Sequence, residues 1–66
     1  MNFPKKIKFL SDDNEAVFVR EEKTKDEKIV LGYYEYTTSS TKSGRQIPMD
    51  MEQINKLISF KLLEIL

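Results

Sequence analysis

The sequence predicts an α+β fold: a four-stranded antiparallel sheet followed by one C-terminal helix, in the order β-β-β-β-α. Three observations carry this reading. Between Lys5 and Met49, short runs of β-branched and aromatic residues alternate with polar turn clusters. Asp50, with Gln53 three residues later, has the spacing of a helix capping box. From Met51 onward the apolar residues recur at helical intervals.

Strand one is expected over residues 5–10, where Lys5, Ile7 and Phe9 alternate with Lys6, Lys8 and Leu10. The cluster SDDNE (Ser11 to Glu15) follows as a turn, because Ser, Asp and Asn side chains satisfy their own backbone. Strand two is AVFVREE, Ala16 to Glu22. Strict alternation puts Phe18 and Arg20 on one of its faces and Val17 and Val19 on the other. KTKDE (Lys23 to Glu27) is a charged hairpin loop.

Strand three, Lys28 to Thr38, is the strongest strand signal in the chain. Its odd set (Ile29, Leu31, Tyr33) is expected to face the core. The even set (Val30, Gly32, Tyr34, Tyr36) would then be open, with Gly32 leaving room for a bend or the close approach of another group. The polar loop SSTKSGR leads to a short fourth strand, Gln46 to Met49, and Pro48 confines that strand to an edge or an end.

The helix is expected to begin at Met51, with Asp50 as N-cap and Met49 stapled to Ile54, and to run to about Leu66, a span of about 24 Å. Met51, Ile54, Ile58, Leu62 and Ile65 then make one apolar stripe, which Leu57, Phe60, Leu63 and Leu66 widen. One sheet covers a single stripe; the excess predicts a homodimer sealed through Ile54, Leu57, Ile58, Leu62 and Ile65. A competing reading takes Ile58 to Leu62 as a final strand after a short helix, since those residues also alternate.

Composition narrows the function. Sixty-six residues make one domain, and so small a core favours self-association. No window is long enough to cross a membrane, and the apolar run of the basic N-terminus is too short for a signal segment. A cytoplasmic setting is therefore expected. With neither histidine nor cysteine, disulfides, the usual zinc ligands and histidine-based catalysis are excluded. Ser39, Ser40 and Ser43 have no histidine to activate them, and the acidic residues sit mostly in loops and at strand ends. Glu35, mid-strand between tyrosines, has no nucleophile or second acid beside it in the sequence. No cofactor and no catalysis are expected.

Binding fits better. Tyr34 and Tyr36 on one strand face, near Phe18 and Arg20, form the aromatic–cation pattern that holds single-stranded nucleic acid: bases stack and phosphates meet cations. Phe18, Tyr34 and Tyr36 would stack; Arg20, Lys28, Lys42 and Arg45 would meet phosphates. The competing structural reading packs the tyrosines under the helix. Eleven basic and eleven acidic residues give zero net charge, which argues against a general polyanion binder.

These stretches also resemble a known family. VFVRE, a charged loop, KIVLGYYEY and SGRQIPMDMEQINKL resemble the positive cofactor four family of transcriptional coactivators and their phage and bacterial single-stranded-DNA-binding relatives. The likeness rests on Arg20–Glu21, Tyr34–Glu35–Tyr36, Gly44–Arg45, Ile47, Met49 and Glu52–Gln53, across roughly residues 15–58. It implies a helix-joined homodimer with channels for unpaired DNA. Glu22, Tyr34 and Thr37 stand where that family has an aromatic, an arginine and a tryptophan. The run YYEY with its loop, short strand and capped helix is also similar to small phage inhibitors of uracil-DNA glycosylase, which implies the alternative of a DNA-mimicking inhibitor of a host enzyme or another module that binds a host protein.

Overall fold

The computed structural model describes residues 3–38 and 44–66. All four expected strands form: β1 (Lys6–Phe9), β2 (Asn14–Lys23), β3 (Val30–Tyr36) and β4 (Gln46–Met49). The helix α1 (Met51–Ser59) follows, and then a fifth strand, β5 (Leu63–Ile65). The sheet order is β4-β3-β2-β1-β5, and every neighbouring pair is antiparallel. The α+β class stands; the expected four-stranded sheet has five strands. β1 is a central strand, bonded to β2 on one side and to β5 on the other.

The helix begins where the sequence places it. The Asp50 carboxylate accepts the Gln53 N–H at 2.6 Å, and Met49 and Ile54 are both buried. It ends seven residues earlier than expected. Lys61 has φ 59°, in the left-handed region. The Lys61 N–H donates to the Ile58 carbonyl at 3.0 Å and the Leu62 N–H to the Leu57 carbonyl at 2.9 Å. These are the paired bonds of a Schellman motif, here with lysine at the position glycine usually fills.

Sheet width explains the early stop. β4 and β5 are opposite edges, four strand spacings or roughly 19 Å apart. A nine-residue helix of roughly 14 Å plus its terminal turns bridges them. A helix reaching Leu66 would overshoot the sheet and leave β1 without its outer neighbour. The final strand of the competing reading does exist, but at Leu63–Ile65 rather than Ile58–Leu62.

The core lies between α1 and one face of the sheet: Phe3, Ile7, Ala16, Tyr34, Met49, Ile54 and Leu63 are buried. On β3 this face is the even set, against expectation. Tyr34 is fully buried, and its hydroxyl donates to the Pro4 carbonyl at 2.6 Å. Gly32 does receive another group: a Cβ there would lie 2.7 Å from Cδ1 of the Phe3 ring. That ring stacks on Phe18 (centroids 5.6 Å apart), and Phe18 meets Tyr34 edge-on at 5.7 Å. The odd set points away from the helix. One sequence feature marked it: Glu35 shares the parity of Leu31 and Tyr33, so burying that set would bury a carboxylate.

Candidate functional site

A β-bulge decides what the sheet offers. Phe18 pairs with Tyr34, but Arg20 pairs with Tyr33, so the register slips by one residue across Val19. Phe18 therefore points into the core, and Arg20 points to the outer face. The expected shared face of Phe18 and Arg20 is not formed, because the bulge breaks the alternation between them.

The predicted stacking residues are on the core side. Tyr34 has no exposed surface, Phe18 packs between Phe3 and Tyr34, and Tyr36 lies against Phe9 with centroids 5.6 Å apart. Burial pushes the Tyr34 hydroxyl up to about 12. The Tyr34 ring has no open face for a base, and the Phe18 and Tyr36 rings each pack on other core-side rings.

The predicted cations do not converge. Lys28 is exposed in the β2–β3 loop, two residues before β3 begins. Arg45 is exposed at the far end of that strand, where its carbonyl accepts the Tyr36 N–H. The seven residues of β3, roughly 20 Å of strand, lie between them. Lys42 falls outside the described residues.

The predicted dimer stripe is also divided. Ile54 is fully buried, and Leu57 and Ile58 pack on the chain's own core. Leu62 and Ile65 are not on the helix at all. They lie at the β5 margin, because the Lys61 turn redirects the chain.

The outer face, uncovered by any described element, brings together a set that the sequence pattern missed. The Arg20 guanidinium lies 4.2 Å from the centroid of the Tyr33 ring. Its Nε donates to the Glu22 carboxylate at 2.9 Å, and its Nη1 donates to the Gln46 side-chain oxygen. Three strands thus hold one guanidinium over one ring, with its side chain still 44% exposed. Val17 and Leu31 are half-buried on the same face, and Pro48 lies directly across from Tyr33. Alternation alone could not find this pair, since nothing in NEAVFVREEK marks Val19 as the bulged residue.

Acidic side chains outnumber basic ones on this face. Lys6 pairs with Glu15 at 3.1 Å and Lys8 with Asp13 at 3.5 Å, while Glu35 and Glu64 add negative charge. Each basic side chain here has an acidic neighbour, so the face lacks the cationic excess that draws phosphates.

Elsewhere, a shallow groove of about 210 Å³ lies between the start of β3 and the start of α1, lined by Lys28, Ile29, Val30, Asp50, Met51 and Glu52. Small-molecule sites usually occupy ~300–1,000 Å³. Asp50 already caps the helix there, and with Glu52 it makes the groove unfavourable for anions. Among the described residues no group of three or more Asp, Glu, His or Cys could hold a metal ion. Among the described residues no helix is long and apolar enough to cross a membrane.

No protein-family model, curated protein or solved structure matches this chain.

Proposed function

We propose that this chain is a non-catalytic module that binds another protein through the outer face of its sheet. One observation carries the reading: Arg20 is held against Tyr33 by Glu22 and Gln46 at the centre of an uncovered, partly apolar face. Arginine and tyrosine are among the residues that most often dominate binding energy at protein interfaces. An arginine already fixed in place loses less side-chain entropy when a partner docks. The mixed charges around it favour a partner of mixed charge over a uniformly negative polymer. The non-catalytic part of the reading rests on the sequence, which lacks histidine and cysteine.

Site-specific photo-crosslinking in the cell that makes the protein tests this. A crosslinker replacing Glu35 on the outer face is expected to capture a discrete protein, and Arg20→Glu in the same chain is expected to abolish that capture. A crosslinker replacing Asn55 on the exposed side of α1 is the control. Capture of nucleic acid from position 35, together with salt-dependent binding of labelled oligo-dT, would replace this reading with the single-stranded-DNA one. Equal capture from positions 35 and 55 would remove the outer face as the site.

A further inference from the structure

The two edges of the sheet are built differently. On β4, the Tyr36 N–H bond to the Arg45 carbonyl fixes the alternation: residues 45, 47 and 49 face β3, and Gln46 and Pro48 face outward. The outward position thus holds a residue with no N–H, which blunts that edge against a further strand. On β5, the Leu10 N–H donates to the Leu62 carbonyl and the Leu66 N–H to the Lys6 carbonyl. Residues 62, 64 and 66 therefore face β1, and the N–H and C=O groups of Leu63 and Ile65 point outward. Neither proline nor lysine guards this edge.

The side chains along the β5 edge are apolar on the core face, while on the outer face two leucines flank Glu64. Ile65 is on the core face opposite the fully buried Ile7, yet it is 53% exposed because the sheet ends beside it. Leu62 and Leu66 are exposed on the other face at 45% and 54%, and Phe60 at the helix end is 70% exposed. A row of outward backbone groups is a template for another extended strand, and this one favours a strand with apolar side chains on its core face.

We infer that the β5 edge pairs with the β5 edge of a second copy, antiparallel about a two-fold axis, to make a ten-stranded sheet. The sequence of β5 is its own complement in this sense. In the pairing centred on Glu64, Leu63 meets Ile65 of the other copy. Both outward N–H groups and both outward carbonyls of each strand are used. The core then continues across the seam, with the two Phe60 rings beside it. Pro48 at the opposite edge opposes growth beyond two copies, since it leaves Gln46 as the only outward backbone donor of β4. One feature opposes the pairing: Glu64 faces Glu64 of the other copy, and like charges directly across strands are unfavourable. Lys8, the β1 neighbour of Glu64, only partly offsets this, because Asp13 also pairs with it.

The test is sedimentation equilibrium of the full chain from micromolar to millimolar concentration, with amide exchange followed by NMR over the same range. A reversible dimer is expected. The amides of Leu63 and Ile65 should slow as it forms, while that of Leu66, already bonded to Lys6, should not change. Ile65→Pro removes an outward donor and no intrachain bond, and is expected to weaken association by roughly tenfold or more. Should that variant fail to fold, Glu64→Gln probes the same seam from the other direction, with association tightening roughly two- to fivefold. A chain that stays monomeric, or associates while Leu63 and Ile65 exchange freely, overturns the inference. So does β5 binding a foreign extended peptide without self-association. The outer-face reading is separate, since Arg20→Glu should leave this dimer intact and Ile65→Pro should leave outer-face crosslinking intact.

Discussion

Tyr33 and Tyr34 are adjacent in sequence and alike in chemistry, but β3 sends them to opposite sides of the sheet. Tyr34 is enclosed by Phe18 and the core, with its hydroxyl spent on Pro4. Tyr33 stays half-open under Arg20. The inward side consists of aromatic and aliphatic groups locked by neighbours. The outward side consists of a few apolar side chains and opposed charges that no described element covers. In so small a protein, stability and recognition are thus divided between the two sides of one strand, and single substitutions should separate them.

The largest contrast is expected from truncating the two rings. Tyr34→Ala empties the centre of the core and should cost ~3–5 kcal/mol. A chain of 66 residues has a total stability of roughly 3–10 kcal/mol, so much of this variant should be unfolded at room temperature. Tyr33→Ala removes a cation–π contact and some half-buried area, and should cost about 1 kcal/mol. Urea unfolding followed by circular dichroism measures both. Equal losses would mean that the two sides are not divided in this way.

Alkaline pH sharpens the same contrast. Burial raises the Tyr34 hydroxyl from 10.0 to about 12, so its proton stays on in the folded state when the unfolded chain has lost it. The stability is fully present below pH 10 and is lost as the pH rises towards 12. The loss from this one group is about 3 kcal/mol. In Tyr34→Phe that component should vanish, leaving only the titration of the remaining groups. The same variant should be about 1 kcal/mol less stable at neutral pH, for want of the bond to Pro4.

How much of this was legible in the sequence follows from the range of each signal. The four strands, the edge position of Pro48, the Asp50 cap and the close approach at Gly32 depend on one or a few neighbouring residues, and all of them are present. The facing of β3 was also legible, through the parity of Glu35, but the apolar weight of Ile29, Leu31 and Tyr33 pointed the other way. The bulge at Val19 leaves no local mark, and one unmarked residue moved Arg20 to the opposite side from Phe18. The binding face predicted from alternation was therefore assembled from both sides of the sheet. The last strand was hidden for another reason: LLEI continues the helical spacing, and only the width of the sheet, a property of the whole fold, requires the chain to turn before it.

That turn gives the smallest effect and the most local test. Lys61 holds a left-handed conformation that costs a residue with a Cβ about 1–2 kcal/mol relative to the ordinary helical one. Glycine avoids that cost but loses about 0.5–1 kcal/mol in backbone freedom on folding. Lys61→Gly should therefore stabilise the chain by roughly 0.5–1 kcal/mol, seen as a higher urea midpoint with an unchanged slope. The turn also sets which way the last residues face, placing Leu63 under the helix and Leu62 on the open side. A stabilised Lys61→Gly would mean that strand pairing, not the residue at the turn, keeps β5 in place. If Lys61→Gly is destabilised, with helical signal extended past Phe60, the chain beyond Ser59 prefers the longer helix. In that case the division between the two sides of the sheet ends at β1.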